Sequence, residues 1–128
     1  MCLAALCAKG HAAMTTFTVE GQPIPKARPR VGKHGTHTPP RTVAWETAVG
    51  WAARLAGVEP LAGDVSIALQ FRRKGTKRAD LDNCVKSCLD GLNGIAYADD
   101  KQVINLVATV EYSSADPGVT VQIEGIDP

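Results

Sequence analysis

The 128 residues make one domain's worth of chain, and a composition of 45% hydrophobic and 21% charged residues excludes an intrinsically disordered protein. No stretch approaches the roughly 18 consecutive uncharged apolar residues of a membrane-spanning helix. The net charge of +1 excludes no partner, because ten of the fourteen Lys and Arg residues fall in two segments free of acidic residues. These are Lys26, Arg28, Arg30, Lys33 and Arg41, then Arg72, Arg73, Lys74, Lys77 and Arg78.

In chain order, residues 1–13 resemble a secretory leader only superficially. No basic residue precedes their apolar run, which is only about seven residues long. They are expected to be a disordered extension or a mis-assigned start, with one domain over residues 14–128 and a cytoplasmic location. From Met14, Phe17 and Val19 alternate with Thr16, Thr18 and Glu20, the period of a half-buried strand. The prolines at 23, 25 and 29 forbid a helix and hold the next segment extended, so its cations splay along a ribbon. Residues 31–40, rich in Gly, His, Thr and Pro, are expected to form a mobile loop. A helix follows from Arg41 or Thr42 to Ala56, with Trp45, Ala48, Val49, Ala52 and Leu55 on one face and Gly57 as its stop.

Val65, Ile67, Leu69 and Phe71 alternate with polar or small residues and predict a second strand, which runs into the basic turn. Leu81, Cys84, Val85, Cys88, Leu89 and Leu92 keep helical spacing, with Asp80 as N-cap and Gly91 and Gly94 marking the end. Val103 to Val110 and Val119 to Val121 predict two more strands. The order implies a single α+β domain with a small mixed β-sheet of three to five strands and two main helices packed on it. Cys84 and Cys88 fall in the apolar helix stripe. They read as buried free thiols, since no second Cys or His pair completes a zinc spacing. Trp45 and Trp51 read as core or dimer-interface residues, and His34 and His37 as solvent- or DNA-facing.

The acidic residues carry the chemistry. Asp82, Lys86 and Asp90 lie at i, i+4 and i+8 on one helical ridge opposite the apolar stripe. Asp80 sits at the helix mouth, and Asp99 and Asp100 precede the next strand. Two carboxylates from a helix start and one from a neighbouring strand suit Mg²⁺, which takes oxygen ligands and leaves positions for water and phosphate. Lys86 would then balance charge developing on a phosphate in the transition state. A helix start that merely complements its own dipole accounts for Asp80 but not for Asp82 and Asp100 beside a Lys. A calcium loop is a second alternative, but the glycine and terminal Glu of an EF-hand are missing.

The run Asp80-Leu-Asp-Asn-x-x-Lys86-x-x-x-Asp90-x-Leu92-x-Gly94, followed by Asp99-Asp100-x-Gln102-Val103, resembles the signature of RusA-type Holliday-junction resolvases. Gly21-x-Pro-x-Pro-Lys-x-Arg-Pro-Arg30 resembles that family's N-terminal basic motif. The resemblance implies a homodimeric endodeoxyribonuclease that binds branched DNA and cuts two strands of a four-way junction symmetrically. It implies Mg²⁺, with Mn²⁺ as substitute, and no small-molecule cofactor or membrane partner. Carried over by position, Asp80, Asp82 and Asp100 would be the metal carboxylates and Lys86 the catalytic cation. Asn83, Asp90 and Asp99 would support them. Lys26, Arg28, Arg30, Arg72, Arg73, Lys77 and Arg78 would contact DNA phosphates, which position a substrate without reading its sequence. Arg30 and Arg78 have an alternative as ion-pair partners of the acidic cluster. Such small resolvases are often encoded by phages or prophages. The alternatives in function are a nuclease for forks or flaps and a non-catalytic DNA-binding module.

Overall fold

A computed structural model describes residues 14–26, 30–32, 35–37 and 39–126, with only the backbone considered for 30–32 and 35–37. The leader-like residues 1–13 lie outside the described residues. The elements are β1 (Met14–Glu20), β2 (Arg30–Gly32), β3 (Gly35–His37), α1 (Pro40–Leu55), β4 (Asp64–Arg72), α2 (Leu81–Leu92), a 3-10 turn (Asp100–Gln102), β5 (Val103–Glu111) and β6 (Gly118–Ile126).

Four strands form one mixed sheet in the order β1-β6-β4-β5. β4 pairs antiparallel with β6 and parallel with β5, as expected of a sheet whose β4 and β5 are joined through α2. Alternation decides which face is covered. Val65, Ile67, Leu69 and Phe71 of β4, with Val119, Val121 and Ile123 of β6 and Phe17 and Val19 of β1, are buried in one core with both helices. The α+β reading therefore holds, with four strands and two helices.

Three local expectations change. The stretch expected as a mobile loop contains a short antiparallel ribbon, β2 with β3, in which Arg30 opposes His37 and Gly32 opposes Gly35. The buried stripe of α1 runs through Thr42, Trp45, Val49, Gly50 and Ala53, while Leu55 is 85% exposed and Trp51 61%. Pro40 starts α1, where its missing N–H breaks no helical bond. Gly91 does not end α2 but lies buried inside it. A Cβ there would stand 2.7 Å from the Glu46 carbonyl oxygen, so a glycine is what lets α1 and α2 approach. The turn away from α2 comes at Asn93 and Gly94, the latter at φ 81°. No helix among the described residues is long and apolar enough to cross a membrane.

Candidate active site

The proline-bearing ribbon after β1 lies along α2 and is fastened to it twice. The Lys26 N–H donates to the Asn83 carbonyl at 2.8 Å, and the Ser87 hydroxyl donates to the Ile24 carbonyl at 2.6 Å. Ser87 is buried, so this hydroxyl also satisfies itself within the helix, 3.1 Å from the Cys84 carbonyl. This docking carries the Lys26 side chain over the last turn of α2. There its ammonium lies 2.8 Å from Glu46 of α1 and 3.0 Å from Oδ2 of Asp90. The other Asp90 oxygen accepts from Lys86 at 3.2 Å, and Lys86 stands 3.9 Å from Asp100.

Charges therefore alternate along one line: Glu46, Lys26, Asp90, Lys86, Asp100. Burial disfavours the Lys26 charge, but hydrogen bonds to Glu46 and Asp90 more than offset it, so the pKa of Lys26 is raised and it stays an ammonium. Lys86 is the most exposed member of the line, with over half its side chain in solvent, whereas Asp90 and Lys26 are about one-fifth exposed.

The position of Asp100 depends on a buried tyrosine. Tyr97 is fully buried and its hydroxyl donates to the Leu89 carbonyl at 2.8 Å, which holds the connection after α2 against the helix. Burial, more than the neighbouring charges, raises the Tyr97 pKa and keeps it a neutral donor. From there the chain enters the 3-10 turn. Asp99 caps that turn, accepting from the Lys101 N–H at 2.9 Å, while the Gln102 side chain accepts from the Ala98 and Asp99 N–H groups. The backbone bond from Lys101 is the main reason that the Asp99 pKa is lowered. Asp99 is thus engaged in its own turn, and it is Asp100 that faces Lys86.

At the other end of α2, Asp80 occupies the N-cap position, but its side chain makes no capping hydrogen bond. Its Oδ2 accepts instead from the Asn83 amide at 3.1 Å, which leaves the carboxylate facing out of the helix mouth. Asp82 is exposed in the first turn, and among the described residues it has no hydrogen bond or ion pair. The structure thus joins Lys86 to Asp90 and Asp100, and Asp80 to Asn83. Among the described residues no three Asp, Glu, His or Cys side chains are close enough to enclose a metal ion. The donor chemistry, carboxylate oxygen throughout, fits a hard divalent cation.

The basic residues sort differently from the sequence expectation. Lys26 belongs to the acidic line. Arg72 is pinned internally, its Nε to the Asp116 carbonyl at 3.0 Å and its Nη1 to Thr120 at 2.8 Å. Arg73 lies beside the Cys84 thiol, with its Nε and Nη1 buried. Burial raises the Cys84 pKa despite that guanidinium, and it pushes Cys88 up to about 12, so both thiols are inert core groups. Lys77 and Arg78 are exposed, and Arg78 makes no ion pair among the described residues but stacks over the Tyr112 ring at 4.8 Å. Arg28 and His34 lie outside the described residues, and of Arg30 and His37 only the backbone is described, in β2 and β3.

The family described as endodeoxyribonuclease RusA matches this chain over residues 20–124. The chain belongs to the RusA endodeoxyribonuclease family. A Bacillus subtilis relative, the uncharacterized protein YqaN, is 30% identical over 136 aligned positions, covering 86% of this chain and 95% of the relative. The RusA match spans the ribbon, both helices, β4, β5 and most of β6, so the ribbon and the acidic helix are parts of one family domain.

Sequence reasoning missed Glu46 and Tyr97. Glu46 had a signal, being the lone acidic residue in the 16 residues of α1. Tyr97 had none, because its role depends on a tertiary bond back to Leu89.

Proposed function

We propose that this RusA-family protein is a Mg²⁺-dependent endonuclease that resolves four-way DNA junctions by paired, symmetric incision as a homodimer. The observation that carries the reading is the exposed Lys86 ammonium, held between Asp90 and Asp100 on the helix whose mouth presents Asp80 and Asp82. Asp80, Asp82 and Asp100 would hold the ion, with Mn²⁺ as a substitute. When bound, it supplies charge neutralisation on the scissile phosphate and activation of water.

The protein's own groups do the rest. Asp90 orients Lys86 through an i,i+4 bond, and Lys86 offers an ammonium to the non-bridging oxygens as charge builds on them. Lys26 neutralises the second Asp90 oxygen, so that Asp90 holds Lys86 without sequestering it. Asn83 steadies Asp80, and Asp99 holds the turn from which Asp100 projects. Lys77 and Arg78 are free to meet backbone phosphates. Two-fold symmetric cutting is most simply done by a two-fold assembly.

The test compares a synthetic four-way junction, a fork and a linear duplex at one salt concentration, with Mg²⁺ and with EDTA. The reading expects symmetric nicks in the junction in Mg²⁺ and none in EDTA. Equal or faster cutting of forks would instead assign it to other branched DNA. Binding without cleavage in both Mg²⁺ and Mn²⁺ would make it a non-catalytic module.

A further inference from the structure

A basic concavity borders the ribbon. It is a cleft of about 520 Å³ between residues 22–25, the start of α1 and the turn that follows β4. Its described wall carries four cations, Arg41, Arg73, Lys77 and Arg78, and no acidic residue. Their orientation is partly fixed. Arg78 lies over the Tyr112 ring, whose hydroxyl is bonded to Ala79 at 3.1 and 3.2 Å. The ribbon is tied to the turn through Gln22, which accepts from the Lys74 N–H at 2.8 Å.

Two features make this more than a solvated basic surface. The Arg73 guanidinium is anchored in the wall, its Nε and Nη1 buried beside the Cys84 thiol, so its charge is held in place as part of the cleft lining. The lining also carries apolar surface, from Pro25, Pro39 and the partly buried Ile24. Cations together with apolar proline surface match a nucleotide rather than a bare phosphate. The volume also falls in the range of about 300–1,000 Å³ typical of small-molecule sites. A continuous duplex presents only phosphates and groove edges, and its stacked bases cannot enter such a recess; an unpaired nucleotide can. Ala79 lines the cleft and precedes Asp80 directly, so the cleft adjoins the acidic helix mouth.

We propose that this cleft holds one unpaired nucleotide next to the cut, its phosphate among Arg41, Arg73 and Lys77 and its base or sugar against Pro25 and Pro39. The proposal rests on the nuclease reading and deepens it. It makes the substrate a DNA with unpaired nucleotides at its branch point, and it places the discrimination against duplex in this cleft rather than in the acidic centre.

The experiment uses the full chain in EDTA, so that binding is read without cutting. Fluorescence anisotropy measures a short labelled oligothymidylate and a short blunt duplex, with inorganic phosphate as competitor. The wild type is expected to prefer the single strand, and Arg73→Gln to weaken it by about tenfold while changing duplex binding far less. Because Arg73 touches the core, the exposed pair Arg41→Gln/Lys77→Gln serves as a second variant that leaves packing intact, and the same selective loss is expected. The proposal is overturned if both variants bind oligothymidylate like the wild type, or if they lose single strand and duplex in equal proportion. It is also overturned if inorganic phosphate competes as well as an oligothymidylate of equal phosphate concentration. Selective single-strand binding in a protein that cuts nothing in Mg²⁺ or Mn²⁺ would support the cleft while sinking the nuclease reading, so the two fail separately.

Discussion

Lys26 and Arg73 both stand in segments where no acidic residue is near in sequence, yet the fold gives them different surroundings. The ribbon crosses α2, so Lys26 meets Glu46 and Asp90, carboxylates that belong to two other elements. The turn after β4 leaves the end of the sheet, where its cations find carbonyls, an aromatic ring, a thiol and one another. Segregation of charge along the chain does not decide partners. What decides them is which elements a residue is laid against: Lys26 serves the acidic centre, whereas of the turn's cations Lys77 and Arg78 face outward and Arg72 and Arg73 are held inward.

That contrast can be broken at several points. Lys86→Met removes the exposed cation of the charge line and should show the largest effect, a fall of about 10²- to 10³-fold in single-turnover cleavage with junction binding nearly unchanged. An unchanged rate would remove Lys86 from the chemistry. Lys26→Met should lower the cleavage rate by about tenfold, the size expected when a supporting hydrogen bond to a catalytic group is lost. Its salt dependence of binding should stay that of the wild type, and Lys26→Arg should restore most of the rate. A drop in salt slope without a drop in rate would instead make Lys26 a DNA contact. Lys77→Gln should do the reverse, lowering the slope of log affinity against log salt by about one while leaving the rate at saturation alone.

The sheet, both helices and the spacing of Asp80, Asp82, Lys86 and Asp90 were legible because periodicity and short-range spacing encode them directly. Asp99 and Asp100 were told apart by the family resemblance, which gave Asp100 to the metal and Asp99 to its support, but not by their spacing. The turn geometry, with the Asp99 oxygen on the Lys101 N–H, separates them. Gly91 read as a helix stop because its reason for being glycine is a neighbour in α1, far away in sequence. Leu55 was counted into the core on periodicity, but the stripe that meets the sheet stops at Ala53. Lys26 was read as a phosphate contact because its partners, Glu46 and Asp90, lie 20 and 64 positions away, beyond what charge patterning can see.

The central claim is that the α2 carboxylates perform the cutting and the outward cations perform the binding. The most direct measurement is Asp82→Asn, assayed for junction affinity and for cleavage across a Mg²⁺ titration. Asp82 makes no internal hydrogen bond or ion pair among the described residues, so the variant should fold and bind as the wild type does. Loss of cleavage at every Mg²⁺ concentration, with affinity retained, is the predicted result. Cleavage at the wild-type rate would contradict the account.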